Sequence, residues 1–221
     1  MVWTKEILPY GGVAYTAPEF RFQTDSLRLA AFAKPQDGER VCDLGSGCGC
    51  IPLWWLDSGC RPIVDGIDCQ EEGIRLATAS AEENGWKDYF RPLLQDWHGL
   101  DLPFGEYDRV VCNPPYFAKD EGRISPDKRR KTARQEDGDG IMGWLSPAAK
   151  LLRDGGRLCV CYRPERLTAL LSAMQEVGCE PKRLQLVQRR ADTAPWLVLC
   201  EARKSAHHGL QIEPVWIENT D

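Results

Sequence analysis

The sequence predicts an α/β protein built on a doubly wound, mostly parallel sheet, and three observations carry that expectation. Apolar runs of strand length alternate with helical stretches along most of the chain. A glycine-rich segment, D-L-G-S-G-C-G at 43–49, follows the first of the alternating runs directly. Unusual polar chemistry then gathers where runs end: at 43–49, at Asp68, at Asp96 and at N-P-P-Y, 113–116. Ligands of open parallel sheets bind outside the carboxyl ends of the strands, so these four ends point to one site.

The elements follow in order. Residues 25–33, DSLRLAAFA, read as a helix with Asp25 or Ser26 as N-cap and Leu27, Ala30 and Ala31 on one face. Residues 40–44 are a short apolar strand, and the glycine loop leads into a helix over about 50–58. Residues 63–67 form a second strand. A helix over 70–84 carries Ile74, Leu76, Ala77 and Ala81 and stops at Asn84-Gly85. Strands are expected at 89–95 and 107–112, a helix at about 143–153 ending in Asp154-Gly155-Gly156, and a strand at 158–162. Pro164 suits the first turn of a helix over 164–178. Runs at 183–189 and 196–202 have no convincing helix between them and are expected to pair as a terminal antiparallel hairpin. The count is seven strands, with residues 1–34 as an N-terminal extension carrying a helix, 35–204 as the main domain and 205–221 as a tail.

Composition narrows the function classes. The 221 residues, 43% hydrophobic, can bury one large core, as a single α/β domain with a small extension or as two small domains. A formal net charge of −5 argues against a globally basic nucleic-acid binder, so any such role needs a local patch. Ten cysteines do not form a disulfide framework: Cys42, Cys112, Cys159, Cys161 and Cys200 sit in apolar runs, where a thiol acts as a small hydrophobe. No C-x-x-C pair exists, and the three histidines offer no partner at zinc-site spacing, so no metal is expected. Residues 1–12 lack signal-peptide character, and no run approaches the ~20 apolar residues of a membrane span. Free thiols and these absences read as cytoplasmic, with no membrane partner. The sequence does not specify an oligomeric state.

The glycine loop has two competing readings. A pyrophosphate fingerprint wants G-x-G-x-x-G or a final alanine, but the last position counted from Gly45 is Cys50. The pattern present is G-x-G-x-G over Gly45, Gly47 and Gly49, preceded by Asp43. An acid there repels a pyrophosphate and attracts an ammonium group. Asp68, 23 residues past Gly45, can accept both hydroxyls of a ribose. A ligand with a ribose and a cationic amino-acid end fits, and S-adenosylmethionine has both. The plainer readings are a helix-entry turn and a strand-end cap.

Here the sequence resembles the class I S-adenosylmethionine-dependent methyltransferases, whose D/E-x-G-x-G-x-G loop and following acid match Asp43–Gly49 and Asp68 over about residues 40–204. The resemblance implies a Rossmann-like seven-stranded sheet and S-adenosylmethionine as cofactor. It also implies that Asp96 holds the adenine amino group of the cofactor and that Cys69 lies against its ring.

N-P-P-Y after the fourth strand is the pattern of methyltransferases acting on a planar amino nitrogen. Such a nitrogen is a poor nucleophile because its lone pair is delocalised. Two acceptors, the Asn113 carboxamide oxygen and the Pro114 carbonyl, can draw it toward an attacking geometry. Tyr116 offers a stacking face worth about 1–3 kcal/mol for a base, and Pro115 and Phe117 flank it. The alternative is an Asn-Pro turn with packed aromatics. DNA adenine, tRNA adenine, ribosomal RNA guanine and a release-factor glutamine amide all present such a nitrogen.

The flanks discriminate. Residues 119–134 hold seven basic residues, Lys128, Arg129, Arg130 and Arg134 among them, against three acidic ones. That is a local patch able to hold a phosphate backbone, or else a solvated loop. Three stretches together, FRFQTDSLRLAAFA at 20–33, NPPYF…SPD…AR-x-E at 113–136 and YRPERL at 162–167, resemble the bacterial tRNA(Val) adenine-N6-methyltransferases. The resemblance implies a tRNA substrate, with Phe22 and Arg163 joining the basic residues as substrate contacts, though Arg163 and Arg166 could equally cap a helix and pair with Glu165. The tail, GLQIEPVWIENTD, and the shorter N-terminal lead depart from that pattern. A non-catalytic RNA- or partner-binding protein on the same fold is the rival from another class.

Overall fold

In a computed structural model, which describes residues 2–114 and 140–218, the predicted alternation becomes one mixed sheet with helices on both faces. The elements in chain order are β1 (Thr4–Ile7), β2 (Val13–Thr16), α1 (Thr24–Ala33), β3 (Arg40–Leu44), α2 (Cys50–Asp57), β4 (Ile63–Asp68), α3 (Glu71–Glu83), β5 (Phe90–Leu94) and β6 (Tyr107–Cys112). After residue 139 come α4 (Met142–Leu151), β7 (Leu152–Tyr162), α5 (Leu167–Glu176), β8 (Cys179–Gln188), β9 (Leu197–Lys204), β10 (Gln211–Ile212) and β11 (Trp216–Ile217). Trp97–Gly99 and Pro164–Arg166 are single 3₁₀ turns.

The central order is β8-β9-β7-β6-β3-β4-β5. β3 pairs parallel with β4 and β6, β4 with β5, and β6 with β7. β9 runs antiparallel between β7 and β8, which is the expected hairpin placed at the sheet edge. Alternate residues serve alternate faces. Val41, Val111, Cys159 and Cys161 pack with Leu29 and Phe32 of α1 and Trp55 of α2. Cys42, Leu44, Val110, Cys112 and Val160 pack with Leu145 of α4 and Met174 of α5. Both faces are covered, which is why the strands read as continuous apolar runs.

Several boundaries move for physical reasons. α1 begins at Thr24 with Gln23 as a backbone-only cap, so neither Asp25 nor Ser26 caps it. Asp25 instead accepts from the Ser26 N–H at 2.8 Å, and the Ser26 hydroxyl meets Asn113 past the end of β6. α4 ends at Leu151 and β7 starts at once. Asp154-Gly155-Gly156 is absorbed into β7, where the register jumps from Tyr107↔Leu152 to Arg109↔Arg157. Pro164 opens a 3₁₀ turn, and α5 proper starts at Leu167.

Two features go unread in the sequence. β1 and β2 form a hairpin docked on α3: Trp3 Nε1 donates to Glu72 Oε1 at 2.6 Å, and the Val13 N–H and C=O both bond the Asn84 carboxamide. In the tail, β10 and β11 each lie parallel to β8, so the seven strands gain two short additions at one edge. Among the described residues no helix is long and apolar enough to cross a membrane, and no three His, Cys, Asp or Glu side chains converge as metal ligands.

Candidate active site

Register sets the site. Leu44 stands opposite Ile67 on one side and Cys112 on the other. The next residues, Gly45, Asp68 and Asn113, therefore leave three adjacent strands at one level. Leu94 pairs with Asp68, and the Gln95 N–H donates to the Asp68 carbonyl at 3.1 Å, which brings Asp96 to the same edge.

The glycine loop is tied into this edge. The Gly45 and Ser46 N–H groups both donate to the Ile67 carbonyl at 2.9 Å. Gly47 N–H donates to Asp68 Oδ2 at 2.9 Å, and Gln70 N–H donates to Oδ1 at 2.8 Å. Gly45, Gly47 and Gly49 have φ of 82°, 56° and 83°, a region that side chains beyond glycine resist. Their surroundings differ. A Cβ on Gly49 would lie 2.7 Å from the Phe90 ring, whereas one on Gly45 would meet nothing within 4 Å. Gly49 is demanded by packing, and Gly45 borders open space.

Asp43 is 2% exposed, and its Oδ2 accepts from the Ser46 hydroxyl at 2.7 Å. Burial pushes its carboxyl up to about 7, against the Ser46 bond that lowers it, with the nearby Asp68 adding to the rise. Among the described residues no cation pairs with it. Asp68 is likewise raised by burial, opposed by its bonds from Gln70 and Gly47. A buried carboxyl lacking a counter-charge among the described residues, on a loop whose Gly45 borders open space, suits an ammonium-bearing ligand. On this ground the residues fit S-adenosylmethionine. Asp96 is exposed and caps the Trp97–Gly99 turn, accepting on Oδ1 from the His98 N–H at 2.9 Å. The His98 bonds hold it below the usual carboxylate range, and neither uses Oδ2. Cys69 is exposed at the end of β4.

Asn113 is half-buried, and both ends of its carboxamide are engaged. Nδ2 donates to Ser26 Oγ at 2.8 Å, and Oδ1 accepts from the Cys161 thiol at 3.0 Å. Pro114 is buried. Phe22 is half-buried against the core face that carries α1, and Arg163 is exposed just past β7. The structure thus brings Asp43, the three glycines and Asp68 into one hydrogen-bonded knot, with Asn113 on the neighbouring strand. Asp96 and Cys69 sit on its rim. Pro115, Tyr116, Phe117, Lys128, Arg129, Arg130 and Arg134 lie outside the described residues.

Four participants escaped the sequence reading: Ser46 on Asp43, Phe90 against Gly49, and Ser26 and Cys161 on Asn113. A related signal was available in Gly66, a glycine inside a strand, which marks close approach. A Cβ there would lie 2.6 Å from the same Phe90 ring.

Comparison with known proteins adds an independent line. The family described as "Methyltransferase small domain" matches residues 23–177. A relative from Tolumonas auensis, named tRNA1(Val) (adenine(37)-N6)-methyltransferase, is 25% identical over 199 residues, covering 86% of this chain and 82% of its own. One of the same name from Parabacteroides distasonis is 29% identical over 202 residues, with coverage of 86% and 82%. Among solved structures, a predicted O-methyltransferase from Agrobacterium tumefaciens shares the fold with a TM-score of 0.67 at 19% identity, over 88% of this chain and 87% of that one. M. jannaschii TYW2 in complex with AdoMet does so with a TM-score of 0.60 at 14% identity, over 91% and 85%.

Proposed function

The chain belongs to the methyltransferase small domain family, and from that premise we propose that it is an S-adenosylmethionine-dependent enzyme methylating N6 of adenine in the anticodon loop of a valine tRNA. The observation that carries the proposal is Asn113, anchored at both ends of its carboxamide one strand away from the Asp43–Gly49 loop. When bound, S-adenosylmethionine supplies an electrophilic methyl group on a sulfonium.

The chain's residues divide the remaining work. Asp43 faces the ammonium end, Asp68 the ribose, and Asp96 and Cys69 the adenine of the cofactor. Gly45 and Gly47 let that ligand approach the main chain. Asn113 Oδ1 and the Pro114 carbonyl accept the two N–H bonds of the target amino group, which orients its lone pair for in-line attack. Tyr116 stacks on the base, with Pro115 and Phe117 beside it. Desolvation of the reacting nitrogen follows from its place at the half-buried Asn113. The proton leaves the methylated nitrogen to water.

RNA binding is supported by charge at the same edge. β7 and β8 run in the direction of β6, so Arg163, Arg166, Arg189 and Arg190 all leave the sheet on the side of Asn113, and all four are exposed. In the sequence, Lys128, Arg129, Arg130 and Arg134 follow N-P-P-Y and bring further positive charge for a phosphate backbone. An unpaired loop adenosine is cheap to extrude, which favours a tRNA loop over duplex DNA as the acceptor. The main domain over 35–204 does the chemistry, with 1–34 and 205–221 as its flanks, and the work is cytoplasmic.

The test is methyl transfer from labelled cofactor to unmodified tRNA, total RNA, duplex DNA and a release-factor peptide in parallel, with nucleoside identification by mass. N6-methyladenosine in valine tRNA is expected. Label in DNA or peptide overturns the substrate and keeps the chemistry. Asn113→Ala is expected to keep cofactor affinity and lose turnover by about 10²-fold or more.

A further inference from the structure

We infer that Ser26 is a positioning residue for methyl transfer: with Cys161, it holds the Asn113 carboxamide in place for the acceptor nitrogen. The inference rests on the role given to Asn113 above.

The two ends of a carboxamide are nearly isosteric but opposite in chemistry: one accepts, the other only donates. A target amino group needs an acceptor. Turned over, Asn113 would set its own N–H bonds against those of the substrate. The carboxamide must therefore be held at both ends. Register places Cys161 beside Asn113, since Cys112 pairs with Val160. Like a hydroxyl, a thiol can donate or accept, and that of Cys161 here donates to the oxygen. Its distance to Oδ1 is 3.0 Å. Ser26 Oγ receives the Nδ2 proton at 2.8 Å.

Ser26 is unusual for its position. A serine in a first helical turn ordinarily bonds its own backbone. Here α1 has no side-chain cap, and the hydroxyl crosses to another element. The helix that presents it is held on three sides. Arg28 Nε donates to Glu218 at 2.9 Å, with its guanidinium 4.6 Å over the Trp216 ring. Trp55 Nε1 donates to the Ala30 carbonyl at 2.8 Å, and Arg183 Nη2 to the Phe32 carbonyl at 2.7 Å. The hydroxyl is thus carried on a rigid mount, as fixing a side-chain amide requires.

The test reads Asn113 directly. Among the three asparagines of the chain, selective ¹⁵N-asparagine labelling isolates its side-chain amide pair, assigned by its loss in Asn113→Ala. In Ser26→Ala that pair is expected to shift toward solvent values and exchange about tenfold faster, and in Ser26→Thr to stay near the wild type. Turnover is expected to fall about tenfold in Ser26→Ala with cofactor affinity unchanged, and to return in Ser26→Thr. Should Ser26→Ala fail to fold, Ser26→Thr against Ser26→Val makes the same comparison, because that pair differs only in hydroxyl for methyl. An unchanged amide pair overturns the inference, as does a shifted pair with undiminished turnover. A wild type that methylates no acceptor overturns the functional reading and the catalytic half of this one, while the amide spectra still decide whether Ser26 holds Asn113.

Discussion

Replacing Asp43 by asparagine should stabilise the protein while weakening cofactor binding, and the size of the gain should depend on pH. Burial raises the folded-state value from 3.8 to about 7. The unfolded chain titrates near 3.9, so at about 1.4 kcal/mol per unit the ionised folded state carries a cost of about 4 kcal/mol. The sign follows from proton counts. Between about pH 4 and 7 the folded chain holds a proton that the unfolded chain has lost, so stability falls as pH rises through that window. Asparagine mimics the protonated acid, and its carboxamide oxygen can still accept from the Ser46 hydroxyl, which lies 2.7 Å from Asp43 Oδ2. The variant should therefore gain about 4 kcal/mol at pH 8, about 1–2 at pH 5 and nothing near pH 3.5. Urea unfolding across that range measures it. Calorimetry in buffers of different ionisation heat adds a second readout: cofactor binding to the wild type near pH 6–7 should release a proton, and to Asp43→Asn none. A gain of equal size at every pH would refute the linkage, and a loss at pH 8 would refute the burial argument itself.

Gly49→Ala should lower the urea midpoint by the equivalent of about 2–4 kcal/mol, since its Cβ lands 2.7 Å from Phe90 at φ 83°. Gly45→Ala should cost about 1–2 kcal/mol from backbone strain alone, yet weaken cofactor binding the more, because its methyl enters open space at the loop. Arg109→Met should destabilise by about 3 kcal/mol at pH 7, because the buried guanidinium lies 3.0 Å from Glu39 and 3.5 Å from Glu201, and its loss strands Glu39 while Glu201 keeps Arg183 at 3.3 Å; a change under about 1 kcal/mol in the urea midpoint would count against that network. Reversing Lys128, Arg129, Arg130 and Arg134 to glutamate should raise KM for tRNA at low salt by about tenfold or more and flatten its salt dependence, with kcat on saturating RNA near the wild type.

What could be read from sequence follows from how local each signal is. β3 and β6 match their expected bounds because both faces of each strand are buried and the apolar run is unbroken. Asp43, Asp68 and Asn113 were legible because a strand end is a local event: an apolar run stops, and the stopping residue is polar. The β1–β2 hairpin was not. Its first strand is mostly exposed, and what orders the hairpin lies about seventy residues on, at Glu72, Ser80 and Glu83. β7 hid its first half because Asp154-Gly155-Gly156 reads as a turn, while the neighbouring strand accepts it through a register shift. Ser46 lay inside the motif, but its bond to Asp43 needed coordinates to see.

The tail and α1 show why the remainder stayed hidden, and what it does to the site. β10 and β11 have two residues each, too short to hold a sheet edge alone. Their order comes from outside them: Arg183 bonds both Glu213 and the Phe32 carbonyl, and Arg28 bonds Glu218 while lying over Trp216. Every one of those partners leads back to α1, whose first turn carries the hydroxyl that holds Asn113. A segment that resembles no motif thus braces the helix beside the most motif-like residue of the chain. Arg28 and Glu218 are both half-buried, so cutting Arg28 from Glu218 and Trp216 should lower stability only modestly, by about 1 kcal/mol. Its effect should appear at Asn113, in the side-chain amide pair and in kcat. A loss of stability with an unaltered amide pair would instead make the tail a plain edge cover for β8.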